Sequence, residues 1–263
     1  MDNYLCALDQ TRRYFIEIAF NGTAYHGWQI QQNAVSVQEI LNKALSIVLR
    51  QSIETTGCGR TDSGVHATQL FAHFELEVQT SNFQFPISNS KLQISLNSLL
   101  PYDIAVKRII EVAPNAHARF DAVKRSYEYH IHFKKDPFKL GLSWLLKDRP
   151  DIDLMNRAAA IIMEYQDFSC FSKSNTQTFT NNCHITKAEC KETEGGMVFF
   201  ISADRFLRNM VRAIVGTLIQ VGRREISPEE IRSIIESKNR CNAGASVPAC
   251  GLYLTEIKYP YEI

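Results

Sequence analysis

Two apolar patterns take turns along the chain. Segments in which every second residue is apolar predict strands, and between them lie segments with apolar residues at helical spacing. This order restricts the chain to folds that mix strands and helices. Residues 14–20 alternate and predict a strand. Ser36 and Glu39 then form a capping box, S-x-x-E, ahead of an apolar stripe at helical spacing. A second alternating run covers residues 70–78, and we expect a strand with one polar face that carries His73 as a bystander.

A boundary between two structural units is predicted at residues 112–115, where Val-Ala-Pro-Asn interrupts the pattern. We therefore expect an α+β domain over residues 1–112 and a second one over 113–263. The predicted elements of the second half are a strand over 126–133, a helix over 153–165, a hairpin around 194–196, a helix from about Arg205, a helix that begins near Ser227 and a strand over 252–259.

The composition is that of a folded protein, because 45% of the 263 residues are hydrophobic and 22% are charged. The net charge of +1 means that a nucleic-acid partner would require a local basic surface. Seven cysteines, including Cys6, occur without a CxxC pair, which favours reduced and mostly buried thiols in a cytoplasmic protein. The charged N-terminus does not resemble a signal peptide, and no run is long enough to span a membrane.

The nine residues 59–67 read Gly-Arg-Thr-Asp-Ser-Gly-Val-His-Ala and place an acid, Asp62, in a turn framed by glycines. Glycine permits backbone angles that other residues resist, so such a turn can present a carboxylate at the end of a strand to a cleft. A solvated aspartate in an ordinary connecting turn explains the local composition equally well.

Arginines form the second signal. If a helix begins near Arg205, then Arg205, Arg208 and Arg212 lie at i, i+3 and i+7 and share one face. Like charges in such an array repel unless an anion balances them, so we expect a phosphate or a carboxylate from elsewhere in the protein to bind there. The alternative is a basic face that is simply solvated. Residues 107–149 add ten basic residues against five acidic ones, with tyrosines between them, which favours splayed RNA bases over duplex DNA.

Metal ligation receives little support from the sequence. His130 and His132 lie two apart on a predicted strand, but no third ligand has a suitable spacing. We therefore predict neither a metal nor another cofactor.

Seven motifs, in order over residues 13–259, resemble those of the TruA family of tRNA pseudouridine synthases. They are GRTDSGVHA at 59–67, NGT at 21–23 with GWQIQ at 27–31, LN at 96–97 with LP at 100–101, HARF at 117–120, RSYEY at 125–129, FLRNMVR at 206–212 with Gly216, and GLYL at 251–254.

The resemblance implies isomerisation of uridine to pseudouridine in tRNA without a cofactor. Asp62 would act at the sugar, as a nucleophile or as a base, and Arg212 would pair with it. Tyr127 would stack on the flipped uracil and take part in proton transfer, and Arg60 would fill the space that the base leaves. Leu252 would line the floor of the pocket. Arg205 and Arg208 remain the expected RNA-binding residues.

The resemblance also implies a fold and partners. The fold would be two α+β domains of ferredoxin-like (RRM-like) topology, with abutting antiparallel or mixed sheets and a central cleft. Family members act as homodimers on uridines 38, 39 and 40 of the tRNA anticodon stem-loop, and we expect the same partner and a cytoplasmic location here.

Two other functions are weighed against this one. Asp62-Ser63-Gly64 matches the D-[ST]-G triplet of aspartic peptidases, but that class needs two such aspartates and the chain has one triplet. A non-catalytic RNA-binding protein of the same fold is the second alternative, and it would be expected to lack Asp62 or Tyr127.

Overall fold

The structure is a computed structural model that describes residues 10–78, 88–172 and 179–263. Its strands and helices follow in this order: β1 (Gln10–Phe20), α1 (Val37–Leu49), β2 (Thr56–Gly57), β3 (His66–Val78), α2 (Asn89–Leu99), β4 (Ile104–Val112), β5 (Lys124–His132), β6 (Trp144–Leu145), α3 (Ile152–Ile162), β7 (Ile185–Thr193), β8 (Gly196–Ala203), α4 (Met210–Gly222), α5 (Glu230–Glu236) and β9 (Leu252–Lys258).

The strands of the described residues join in one large mixed sheet, so the chain is a mixed α/β protein. The order across the sheet is β4-β1-β3-β9-β5-β8-β7, with β2 on β3 and β6 on β5. Most neighbours are antiparallel, but β3 and β9 pair in parallel through His66 with Tyr253 and Ala67 with Leu254. The last strand of the chain therefore connects the strands of the first half to those of the second.

Two apolar clusters pack against this sheet. One joins β1, β3 and β4 to α1 and α2, and the other joins β5, β7 and β8 to α3, α4 and α5. The first cluster also contains Ala116, Ala118 and Ala122, and from β9 it takes Leu254 and Ile257. Because residues beyond 112 contribute to both clusters, the division into 1–112 and 113–263 stays a prediction.

Local sequence explains where α1 begins. The side chain of Ser36 accepts a hydrogen bond from the Glu39 amide at 3.3 Å, as the capping box predicts. Leu41 and Leu45 then lie fully buried one turn apart and anchor the helix on the sheet.

The prediction of one polar face on β3 is wrong in the middle of the strand, where both faces are buried. Phe71 meets Tyr259 edge-on at 5.5 Å, and His73 Nδ1 accepts a hydrogen bond from the Ala118 amide at 3.2 Å. Burial, followed by the neighbouring His117, lowers the pKa of His73 to about 4. The covering residues come from the segment after β4 and from the C-terminus, a long-range contact that local alternation does not reveal.

The prediction of a helix from about Arg205 is also wrong, because α4 begins at Met210. Asn209 precedes it in the left-handed region, with φ of 66°, and so breaks the helical path. Arg205 and Arg208 therefore lie in an extended and turning segment, and only Arg212 is helical. Their predicted common helix face does not exist.

The thiols agree with the expected reduced state as far as the structure describes them. Cys58, Cys170, Cys183 and Cys190 are free and buried, whereas Cys6 lies outside the described residues. No helix within the described ranges combines the length and apolarity needed to cross a bilayer.

Candidate active site

The loop that carries Asp62 connects β2 to β3. Its turn is closed by a hydrogen bond from the Val65 amide to the Asp62 carbonyl at 3.1 Å, and Gly64 adopts a φ of +78° there. That angle favours glycine, which accounts for Gly64 in the motif. The loop therefore holds the Asp62 backbone in a fixed turn.

A second loop, residues 21–29 after β1, supports the Asp62 loop from one side. The amide of Trp28 donates to Thr61 Oγ1 at 3.0 Å, and the amide of Gly64 donates to the Tyr25 carbonyl at 3.1 Å. A Cβ on Gly27 would lie 2.2 Å from the Thr61 carbonyl oxygen. Trp28 itself is buried in the core, so its ring supports the loop and is not free to touch a ligand.

Two guanidinium groups from the second half of the chain face the Asp62 carboxylate. Arg212 Nη1 donates to Asp62 Oδ2 at 3.2 Å, and Arg208 Nε lies 3.9 Å from Asp62 Oδ1. The Asp62 side chain is 25% exposed, the Arg212 side chain 20% and the Arg208 side chain 61%. The carboxylate is therefore partly open to solvent and has one close cation and one loose one.

Arg212 is itself held by two contacts to the segment before β9. Its Nε donates to the Val247 carbonyl at 2.7 Å, and its own carbonyl accepts from the Val247 amide at 3.3 Å. Because α4 supplies a rigid base for the side chain, the guanidinium meets Asp62 in a fixed orientation.

Tyr127 lies on β5, where its ring packs against both apolar clusters. Phe206 meets the ring edge-on, with centroids 5.1 Å apart. Burial raises the pKa of the Tyr127 hydroxyl above its usual value, and the negative charge of Asp62 acts in the same direction. Within the described residues the hydroxyl has no hydrogen-bond partner, which leaves it available to a ligand.

The remaining predicted site residues have different surroundings. Arg60 is exposed and makes no ion pair within the described parts of the chain. Arg205 is half-buried beside Asp204, whose carboxylate accepts from the Arg205 amide at 2.7 Å. Leu252 is buried at the start of β9, opposite Tyr129 on β5.

His66 is a residue of the Asp62 motif to which the sequence assigned no role. Its Nδ1 accepts from the Gly22 amide at 3.0 Å, so Nε2 carries the proton that faces the Cys250 carbonyl at 3.2 Å. The ring stacks on Tyr253 at 4.5 Å, and burial lowers its pKa. His66 therefore joins the loop after β1 to the start of β9 as a neutral group; the signal for it was its position inside the motif.

The chemistry available at this site is that of one carboxylate beside two guanidinium groups. An aspartic peptidase would need a second carboxylate to share a proton, whereas the ion-pair partners of Asp62 among the described residues are guanidiniums. In the part of the chain that the structure describes, no group of three or more His, Cys, Asp or Glu side chains is arranged to hold a metal ion.

Comparison with known proteins points to one family. A family model described as tRNA pseudouridine synthase matches residues 165–260. Over 96% of its length the chain is 48% identical to tRNA pseudouridine synthase A of Parabacteroides distasonis, of which 98% is covered. It is 49% identical to the protein of that name from Bacteroides fragilis, with 96% of the chain and 98% of the relative covered. A tRNA pseudouridine synthase A 1 from Protochlamydia amoebophila is 38% identical, with 95% and 97% covered.

Proposed function

The chain belongs to the tRNA pseudouridine synthase A family, and on this basis we propose that it isomerises uridine to pseudouridine in tRNA. The observation that carries the proposal is the Asp62 carboxylate, which meets Arg212 of the other half of the chain at 3.2 Å. The proposed targets are the uridines at positions 38, 39 and 40 of the anticodon stem-loop.

The reaction moves one bond and one proton. The bond between N1 and C1′ breaks, the uracil turns, and a bond forms between C5 and C1′. C5 loses its proton and N1 gains one, so no cofactor or co-reactant is required. C1′ becomes electron-poor as the base leaves, and a carboxylate next to it lowers the barrier.

Asp62 is the group that acts at the sugar, either by attack on C1′ or as a base. Both roles need a carboxylate held in a defined orientation, and the hydrogen bond from Arg212 at 3.2 Å provides one. The fixed turn around Asp62 and the two contacts of Arg212 to Val247 support a preorganised pair. Such a pair loses little energy in reorganisation when charge develops at C1′.

Tyr127 is proposed to stack on the extruded uracil. Its ring is held edge-on by Phe206, and its hydroxyl is free of other partners in the described residues. The raised pKa keeps the phenol uncharged near neutral pH, so the ring meets the uracil as a neutral group.

Arg60 is proposed to enter the RNA stem where the base has left. It lies two residues before Asp62, is exposed, and has no ion-pair partner among the described residues. Extrusion of a base costs a few kcal/mol, and a side chain that replaces it in the stack offsets part of that cost.

Contacts with the RNA backbone are proposed for Arg205 and Arg208, which precede α4 next to the pair. The exposed Arg208 is only 3.9 Å from Asp62 and can turn toward a phosphate. Leu252 is proposed as part of the pocket floor, since it opens the strand that joins the two halves.

We also propose the finer architecture that the family implies. It consists of two ferredoxin-like domains, each with one of the two apolar clusters, and a homodimer in the cytoplasm that binds one tRNA with both subunits. Size measurement in solution with and without tRNA tests the homodimer.

A non-catalytic RNA-binding protein is the competing function. It would have no need of an oriented carboxylate among cations, because Asp62 repels RNA phosphates and weakens a purely electrostatic site. The presence of Asp62, Arg212 and Tyr127 together therefore favours the enzyme.

Release of tritium from C5-labelled uridine in anticodon stem-loop transcripts tests the proposal. We expect release in step with pseudouridine formation at mapped positions 38 to 40. Binding of the stem-loop without any release would support the non-catalytic alternative and contradict the proposed function.

A further inference from the structure

Arg125 makes an unusual set of contacts close to Asp62. Its Nη1 donates to the carbonyls of Ala122 at 3.0 Å and Asp204 at 2.8 Å. Its Nη2 donates to the carbonyls of Cys58 at 3.1 Å and Arg119 at 2.8 Å. One guanidinium therefore binds three separate segments of the backbone.

Two of these segments carry groups of the site. Cys58 lies four residues before Asp62 in the same connection between β2 and β3. Asp204 begins the segment that presents Phe206 to the Tyr127 ring and Arg208 to Asp62. The contacts of Arg125 thus connect the Asp62 loop directly to the segment that leads into α4.

The backbone of Arg125 gives this contact a rigid origin. Arg125 lies on β5 between Ala203 of β8 and Ile257 of β9, so both of its edges are paired. Tyr127 follows two residues later on the same strand and points to the same face of the sheet. Arg125 and Tyr127 are therefore fixed relative to each other.

Only arginine has the geometry for these contacts. Its guanidinium presents five donors in a fixed plane, whereas lysine is a single point charge on a flexible stem. No carboxylate forms an ion pair with Arg125 among the described residues, so carbonyl oxygens alone satisfy its charge. Without Arg125 the carbonyls of Ala122 and Cys58 would lose a partner in a partly buried region.

We propose that Arg125 is a positioning residue for the isomerisation: it sets the distance between the Asp62 loop and the segment that carries Phe206 and Arg208. It does not touch the substrate. The inference rests on the proposed function, because the spacing matters for activity only if Asp62 acts on a nucleotide held by Tyr127.

The test compares Arg125→Gln and Arg125→Lys with the wild type in steady-state tritium release from the labelled stem-loop. Rates are normalised to the folded fraction from thermal melts. We expect kcat to fall on the order of 100-fold in R125Q, the effect of a small misplacement of reacting groups, with KM within about threefold. The kcat of R125K should be close to that of R125Q, since an ammonium cannot bind four carbonyls at once.

Arg13→Gln is the matched control. Arg13 also joins a strand to a distant backbone carbonyl, that of Ala116 at 2.9 Å, and it pairs with Glu75, but it contacts neither the Asp62 loop nor the segment before α4. We expect R13Q to lower the melting temperature and leave kcat within about threefold, as for substitutions away from reacting groups.

The outcomes separate the two proposals. An active wild type whose kcat is matched by R125Q overturns the positioning role alone. A wild-type kcat in R125K would also overturn it, since a positive charge alone would then support turnover without the planar guanidinium. A wild type that releases no tritium overturns the proposed function and this inference with it.

Discussion

The ion pair between Asp62 and Arg212 allows the sharpest prediction, namely the effect of Arg212→Met on turnover. At 3.2 Å and an effective dielectric constant of about 20, two unit charges attract by about 5 kcal/mol. Solvent reaches both side chains, which are 20% and 25% exposed, and desolvation opposes the attraction. The net contribution is therefore nearer the roughly 1.5–3 kcal/mol typical of a hydrogen bond between charged groups.

That energy orients the Asp62 carboxylate, so its loss lowers the fraction of enzyme in which the carboxylate is placed to react. We expect kcat in R212M to fall between about 10-fold and about 150-fold, since each 1.36 kcal/mol is tenfold in rate. Arg212→Lys should be intermediate, because it keeps the charge but cannot contact both Asp62 and Val247 as the guanidinium does.

Arg208→Met provides the internal comparison. Arg208 is 3.9 Å from the same carboxylate and 61% exposed, so its ion pair is screened by solvent and contributes little to turnover. We expect R208M to raise KM and leave kcat within about threefold, in line with a weak surface pair.

Steady-state tritium release over a range of stem-loop concentrations gives kcat and KM for all three variants, and thermal melts verify that each is folded. The reasoning is refuted if R212M reacts within threefold of the wild type, or if R208M and R212M lose the same factor in kcat.

Three further predictions concern the loop, a buried histidine and the stacking residue. Gly27→Ala should lower the free energy of unfolding, measured in urea, by more than about 2 kcal/mol, since φ is +85° and the added Cβ would meet the Thr61 carbonyl. Gly59→Ala is the control, because no atom lies within 4 Å of its added Cβ, and its free energy of unfolding should change by at most about 0.5 kcal/mol. Equal losses in the two variants would contradict this explanation. Folded His73 stays neutral down to a pKa of about 4, whereas the unfolded chain binds its proton near pH 6.5. The free energy of unfolding should therefore fall as the pH drops from about 6.5 to about 4, by at most about 1.4 kcal/mol per pH unit. His73→Gln should flatten this dependence on pH, and an unchanged slope would contradict the assignment to His73. If the ring stacks on uracil, kcat in Tyr127→Leu should fall between about 5-fold and about 150-fold, given stacking of roughly 1–3 kcal/mol per base. The loss in Tyr127→Phe should be smaller, and equal losses would assign the effect to the hydroxyl.

Short-range patterns predicted the elements of this fold well. The N-cap at Ser36 and the hairpin between β7 and β8 depend on residues close in sequence, and the structure confirms both. By contrast, the parallel pairing of His66 with Tyr253 joins residues far apart in the chain, and no periodicity in the sequence predicts it.

Two errors have the same origin. The arginines before α4 fit a helical spacing, but Asn209 adopts a left-handed conformation while Phe206 packs on Tyr127. His73 alternates as an exposed residue would, yet residues from the segment after β4 cover it. In both cases tertiary packing overrides the local pattern.

The site itself was predictable only in part. Family resemblance named Asp62 and Arg212 as partners, and residue types explain why an acid and a base would pair. The role inferred for Arg125 could not be seen in the sequence, because backbone carbonyls from three segments carry no residue-type signal.

The central claim is that the Asp62 carboxylate acts at the sugar of an extruded uridine, and Asp62→Asn tests it most directly, since it removes the charge with almost no change in shape. Single-turnover tritium release and stem-loop binding are measured on the same preparation. We predict that the rate of D62N falls by at least about 10³-fold while the dissociation constant stays within about threefold, because the lost interaction belongs to the transition state. A D62N rate within tenfold of the wild type would contradict it.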